Sequence, residues 1–301
     1  MAEVKNGGIT MVPIEGGRYR VWTKHIGTGS IHMLTLHGGP GCTHEYMECF
    51  EDFLPQHGIR FYYYDQLGSH YSDQPDDPAL WTVGRFCDEV EQVRIGLGLN
   101  SFYLFGHSWG GMLGIEYALK YPHHLNGLVI SNITASVASY LESINQIRGE
   151  LPPEVLRILE KYEAKGEYNA PEYEQAMYRR VYARCICRLD PWPEPVVRMF
   201  RHMNQQVYNT MQGPNEFVIT GNFKDWDRWN DLARISVPTL VIGARYDTMR
   251  TDDIQRMGAL IPDSRTAICE SGSHLAMYDD QEAYFRHVVQ FILDVENGRP
   301  L

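Results

Sequence analysis

Long apolar runs are missing from this chain. No stretch approaches the roughly 18–20 consecutive apolar residues that a membrane-spanning helix requires, so no membrane association is expected. An excess of positive charge is missing too. Against 38 Asp and Glu there are only 27 Lys and Arg, and the net charge of −11 argues against nucleic acid or an anionic membrane surface as partner. Solubility accounts for such an acidic surface, although a cationic substrate would also suit it. Paired cysteines are lacking as well. Cys42, Cys49, Cys87, Cys185, Cys187 and Cys269 are scattered, and Cys185-Ile186-Cys187 leaves one residue where zinc sites usually leave two to four. No metal or other cofactor is expected, and the cysteines read as reduced, structural thiols of a cytoplasmic protein. The opening stretch Met1–Gly17 has no basic segment followed by an apolar run, so it does not read as a secretory leader. There is no internal repeat or low-complexity tract, and nothing in the pattern bears on oligomeric state.

What is present is a series of short apolar runs, each ending in a glycine-bearing turn. Ile31–Leu36 leads into His37-Gly38-Gly39-Pro40-Gly41, and Arg60–Tyr64 leads into Asp65-Gln66-Leu67-Gly68-Ser69. Ser101–Phe105 leads into Gly106-His107-Ser108-Trp109-Gly110, and Thr239–Ile242 leads into Gly243-Ala244-Arg245-Tyr246-Asp247. Gly127–Ile130 and a run around Thr266–Ile268 add two more strands. Continuous apolar strands separated by helical segments predict an α/β fold with a mostly parallel sheet covered on both faces. Ligands bind such sheets at the carboxyl ends of the strands, where these turns fall.

From residue 136 to 231 the short strands give way to helical patterns, as in Pro153–Leu159, Glu172–Tyr178 and Val196–Phe200, with prolines near their starts. The expected organisation is therefore a discontinuous catalytic body, residues 1–135 and 232–301, with a helical cap at 136–231.

Gly106-His107-Ser108-Trp109-Gly110 is a G-x-S-x-G between a strand and a helix, a turn sharp enough to expose the Ser108 hydroxyl at the strand's end. A serine hydroxyl needs a base to take its proton. His274, in Ser271-Gly272-Ser273-His274, is the expected base, and Asp247 the acid that orients it, in the chain order of an α/β-hydrolase. Asp252 and Asp253 are rival acids, but they fall where the next helix begins and read as caps. The backbone N–H groups of Gly39 and Trp109 are the expected oxyanion hole for the tetrahedral intermediate. The direction of the Trp109 side chain is not readable.

Together, Leu36–Gly41, Asp65–Asp73 and Gly106–Gly111 resemble the proline iminopeptidases, serine peptidases on the α/β-hydrolase fold. The resemblance spans nearly the whole chain. It implies metal-independent release of an N-terminal residue, preferably proline, from short peptides or amides. It also implies that Glu216, in Gly213-Pro214-Asn215-Glu216-Phe217, binds the substrate's free α-amine, a role that suits a carboxylate in a half-buried cap. One departure stands out. Related caps often work with a second acid directly after the catalytic aspartate, and Thr248 occupies that place here. L-amino-acid amidases share the framework, and amide hydrolysis is the first alternative. A carboxylesterase, or a non-catalytic binding protein on the same fold, comes after it.

Overall fold

The computed structural model describes residues 8–301, so part of the opening stretch read for a leader lies outside the described residues. The apolar runs become six mutually parallel strands: β3 (Ile31–Leu36), β4 (Ile59–Tyr64), β5 (Phe102–His107), β6 (Leu125–Ser131), β7 (Thr239–Ala244) and β8 (Ser264–Cys269). An antiparallel hairpin, β1 (Ile9–Ile14) and β2 (Tyr19–Ile26), extends the sheet on the β4 side. The order is β1-β2-β4-β3-β5-β6-β7-β8. This hairpin is not among the apolar runs. The edge strand β1 buries only Val12 and Ile14, and in β2 Arg20, Lys24 and His25 break the apolar pattern on either side of the buried Val21–Thr23.

The central strands β5 and β7 are buried at every position, as strands covered on both faces must be. The helix Trp109–Lys120 packs on β3, β5 and β6. The helix Gln281–Glu296 covers the sheet with the buried Phe285, Val288, Phe291 and Ile292. Phe50 ties the layers together, its ring edge-on to Phe105 and Phe285 at 5.0 and 5.1 Å between centroids. All six cysteines are free and buried, and among the described residues no helix is long and apolar enough to cross a membrane.

After β6 the chain leaves the sheet. Ser136 caps the helix Val137–Gly149 by accepting the Ser139 N–H at 3.1 Å. Helices Pro153–Glu163, Pro171–Ala176 (running on through a wide turn, Met177–Tyr182), Glu194–His202 and Gln205–Met211 follow before β7. Pro153, Pro171 and Pro195 stand in first turns, where a missing N–H costs nothing. Backbone bonds tie this helical layer to the sheet's carboxyl edge on both sides of the site. Asn204 donates its backbone N–H to Gly41 O (2.8 Å) and its side-chain amide to Gly68 O (2.7 Å). On the other side, the His274 and Leu275 N–H groups reach the Cys185 and Ile186 carbonyls at 2.9 and 2.8 Å.

Candidate active site

Strand β5 ends in a turn held by close backbone approach. Ser108 has φ 56° and ψ −125°, a conformation that costs a non-glycine residue on the order of 1–3 kcal/mol. It is fixed by its N–H on Ser131 O (2.9 Å) and by the Gly111 N–H on its carbonyl (2.7 Å). The flanking glycines are dictated by space. A Cβ on Gly106 would lie 2.1 Å from Gly110 O, and one on Gly110 would lie 2.2 Å from Leu36 O. Among the described residues the Ser108 side chain makes no hydrogen bond; it lines a cavity that His274 also lines.

Asp247 follows β7 and is buried beneath His274. Its Oδ1 lies 2.7 Å from His274 Nδ1 and also accepts the Thr248 hydroxyl at 3.1 Å. Its Oδ2 accepts the Asn132 side-chain amide at 2.7 Å. Burial opposes its charge, but His274 and Asn132 outweigh this and hold its pKa below the usual carboxylate value. Burial likewise opposes protonation of His274, yet the Asp247 charge and hydrogen bond prevail, and its pKa is raised. With Nδ1 engaged, Nε2 is the nitrogen left to take a proton. Asp253 is engaged elsewhere, by Arg250 at 3.1 Å. Asp252 and Asp253 stand in the first turn of the helix Thr251–Leu260 but do not cap it. Arg250 holds the N-cap position and no side-chain cap bond forms.

The His37–Gly41 loop is held by a network whose polarity follows from its ends. The His274 carbonyl can only accept, so His107 Nε2–H donates to it at 2.8 Å. Burial and the neighbouring His274 push the His107 pKa down to about 3, so the ring is neutral and its Nδ1 accepts. Tyr46 OH donates to that Nδ1 at 2.9 Å and accepts the Gly38 N–H at 2.7 Å. The loop Asp65–Ser69 does parallel work. Gln66 gives its backbone N–H to His37 Nε2 (3.1 Å) and its side-chain amide to the His37 carbonyl (3.1 Å). Gln66 Oε1 then accepts Trp109 Nε1–H at 2.8 Å. The Trp109 ring is buried and stacks on Phe223 at 5.7 Å. Its backbone N–H opens a helix and so has no acceptor within that helix.

Two hollows meet here. The outer one, about 160 Å³, is lined by Tyr46, His107, His274 and residues of the helical layer. The inner one is lined by Trp109, Met112, Ile133, Val137, Tyr140, Gln212, Phe223 and Trp226, all buried. Gly39, Ser108 and Glu216 line both. The half-buried Glu216 carboxylate accepts Tyr140 OH at 2.6 Å and Tyr208 OH at 2.5 Å, and its backbone N–H reaches Tyr182 OH at 3.3 Å. Burial, then the Glu216 charge, holds the Tyr140 and Tyr208 hydroxyls well above their ordinary pKa, so both remain donors. Thr248, where a second acid was of interest, turns to Asp247 and offers no negative charge. Among the described residues no group of three or more His, Cys, Asp or Glu side chains is placed to hold a metal ion.

All six residues expected at the site thus surround one cavity wall or its immediate support. Sequence reasoning missed Asn132, Tyr46 and the three tyrosines around Glu216. His107 lay inside the quoted motif without a role. Asn132 alone carried a signal, its place at the carboxyl end of a buried strand.

The alpha/beta hydrolase fold family model matches residues 31–281. A proline iminopeptidase of Flavobacterium johnsoniae is 46% identical over 96% of this chain and 99% of its own length. The crystal structure of VinJ superposes with a TM-score of 0.91 at 34% identity, covering 96% of this chain and 99% of that one. That of the Mycobacterium smegmatis proline iminopeptidase superposes at 0.89 and 31%, covering 97% and 99%. With similarity of this extent running from the first parallel strand past His274, the chain belongs to the proline iminopeptidases of the alpha/beta hydrolase fold.

Proposed function

We infer that this protein is a serine aminopeptidase that releases an N-terminal proline or another small residue from peptides or amides through an acyl-enzyme. One observation carries the reading: Gly39, Ser108 and Glu216 line both hollows. A nucleophile, an oxyanion donor and a carboxylate for the substrate's α-amine therefore converge where the scissile carbonyl must lie. An esterase acting on uncharged substrates has no use for a carboxylate at that point.

In this reading Ser108 Oγ attacks the carbonyl carbon while His274 Nε2 takes its proton and Asp247 stabilises the imidazolium. The carbonyl oxygen becomes negative and receives the Gly39 and Trp109 N–H groups; one such donor is worth about 3–4 kcal/mol of barrier. Collapse breaks the C–N bond, and His274 gives its proton to the departing nitrogen. Water then attacks the Ser108 ester, His274 takes a proton from it, and that proton returns to Ser108 Oγ as the free amino acid leaves. Glu216, held by Tyr140 and Tyr208, pairs with the α-amine, a charge-assisted contact of about 1.5–3 kcal/mol. Residues 136–231 act as the cap that supplies this recognition, and the buried free thiols suit a reducing, cytoplasmic setting.

The test is kcat/KM on proline p-nitroanilide, its N-acetyl derivative and p-nitrophenyl acetate. Activity should need the free amine. If acetylation changes nothing and the ester is the best substrate, the triad reading stands and the aminopeptidase reading falls.

A further inference from the structure

We propose that the outer hollow is a leaving-group subsite for an uncharged, apolar group. The enzyme then favours amides, and peptides with a large apolar second residue, over free dipeptides. The proposal rests on the aminopeptidase reading and concerns what lies beyond the scissile bond.

The two hollows differ in what they can hold. Those inner-hollow residues that are not shared are buried, so it can accept only the end of a chain. The outer one reaches solvent past Glu174, Asn169, Gln205 and Tyr178, which are exposed. A substrate with its carbonyl at Ser108 and its terminal residue turned toward the buried lining of the inner hollow sends its leaving group into the outer one, whose rim is exposed.

One wall of that open lobe is apolar, formed by Met177, Tyr178, Ile186, Met199, Phe200 and Met203, while Asn169, Gln205 and Asn215 line it elsewhere as neutral polar groups. Three of the wall residues are methionines, whose flexible side chains adapt to varied apolar shapes. The lobe's carboxylates are Glu174 and Glu216, its other titratable groups His107, His274, Cys42 and tyrosines, and among the described residues no lysine or arginine lines it. Arg179, Arg180 and Arg201 flank wall residues in the sequence, but they are exposed and lie outside the wall, and Arg180 faces Glu154 at 3.9 Å.

A free dipeptide places its carboxylate one residue, about 3.5 Å of extended chain, beyond the scissile nitrogen. That charge would lose water in the lobe and meet the Glu174 carboxylate instead of a cation, Glu216 being paired with the α-amine. An amide has no such charge, and each added residue carries the carboxylate further toward solvent. A large apolar second residue gains the wall.

The experiment compares kcat/KM for Pro-Phe-NH2, Pro-Phe, Pro-Gly-NH2 and N-acetyl-Pro-Phe-NH2. Pro-Phe-NH2 should exceed Pro-Phe by about tenfold or more and Pro-Gly-NH2 by roughly tenfold. Glu174→Lys should narrow the first gap and leave the second, whereas Phe200→Ala should narrow the second and leave the first. Raising ionic strength should narrow the first gap in the unmodified enzyme, a readout that needs no variant to fold. Equal rates on Pro-Phe and its amide, or equal rates on the two amides, would overturn the proposal. Unchanged turnover of the N-acetyl substrate would instead remove the aminopeptidase reading beneath it.

Discussion

The carboxyl edge of the sheet and the helices laid over it present polar groups to the same cavity by different means. At the sheet edge the groups are held by backbone: Ser108 by a positive-φ turn with Gly106 and Gly110 packed against backbone, and the Gly39 and Trp109 amides proposed as oxyanion donors by loops pinned through Tyr46, His107 and Gln66. In the helical layer the key group is held by side chains. Tyr140, Tyr182 and Tyr208 come from three separate helical segments to surround Glu216. A site set by backbone has few tolerated alternatives, and its parts act as a unit. One set by several side chains can lose a contact and keep the rest. Substitutions at the edge should therefore act nearly all-or-none, and those in the cap should act by degrees.

The largest effect is expected for Ser108→Ala, which should lower kcat by about 10⁶-fold, because a nucleophile and its base fail together. Thermal unfolding should be unimpaired, since alanine places no heavier atom in the turn. Substantial retained turnover would remove Ser108 from the mechanism. Asp247→Asn should follow, at about 10⁴-fold in kcat, by leaving His274 in the wrong tautomer. It carries a second signature in pH. His274 acts as base only when neutral, so kcat/KM falls as pH drops through its pKa. Asp247 raises that pKa, so the acid limb should move to lower pH in the variant. A limb that stays in place would mean another group sets it.

Glu216→Gln tests the other half of the comparison. It keeps the shape and loses the charge, so KM for free-amine substrates should rise by roughly 10–100-fold, matching a charge-assisted contact. kcat should change much less, and p-nitrophenyl acetate should be cleaved as before. An equal loss on the ester would show that Glu216 supports the fold of the site and does not read the amine.

The same contrast decides what could be read from the sequence. Ser108 and its glycines are legible because the turn needs those residue types at that spacing, wherever the rest of the chain goes. The His37–Gly41 and Asp65–Ser69 loops are legible as a pair, although only the structure shows that Gln66 joins His37 to Trp109. Asp247 and His274 are expected partners from their order along the chain, and the structure puts them in hydrogen-bond contact. Glu216 is proposed through family resemblance, since a lone glutamate between helices carries no local mark, and the structure shows it lining both hollows. Its tyrosines were out of reach: residues 140, 182 and 208 become neighbours only through helix packing that no short-range pattern encodes. Asn132 is marked only by its place at the carboxyl end of a buried strand, with no glycine turn beside it. The β1–β2 hairpin failed for a simpler reason, that a half-exposed edge lacks the continuous apolar run by which its neighbours were found.

The smallest effects, and the sharpest test of the comparison, come from the tyrosines. Tyr140→Phe frees one Glu216 oxygen while Tyr208 still holds the other, and Tyr208→Phe does the converse. Each should raise KM by about 3–10-fold with little change in kcat, the scale of one ordinary hydrogen bond, because the other tyrosine still holds the carboxylate. Because both act on one carboxylate, the double variant should cost more than either single change, with a measurable coupling between them. Adding Asp247→Asn to Ser108→Ala, by contrast, should cost almost nothing further, since the unit has already failed. Two tyrosine changes that saturate after the first would place the cap under the same all-or-none rule as the sheet edge. Compounding losses would show that amine recognition is assembled from separable contacts, each open to tuning without touching the chemistry below it.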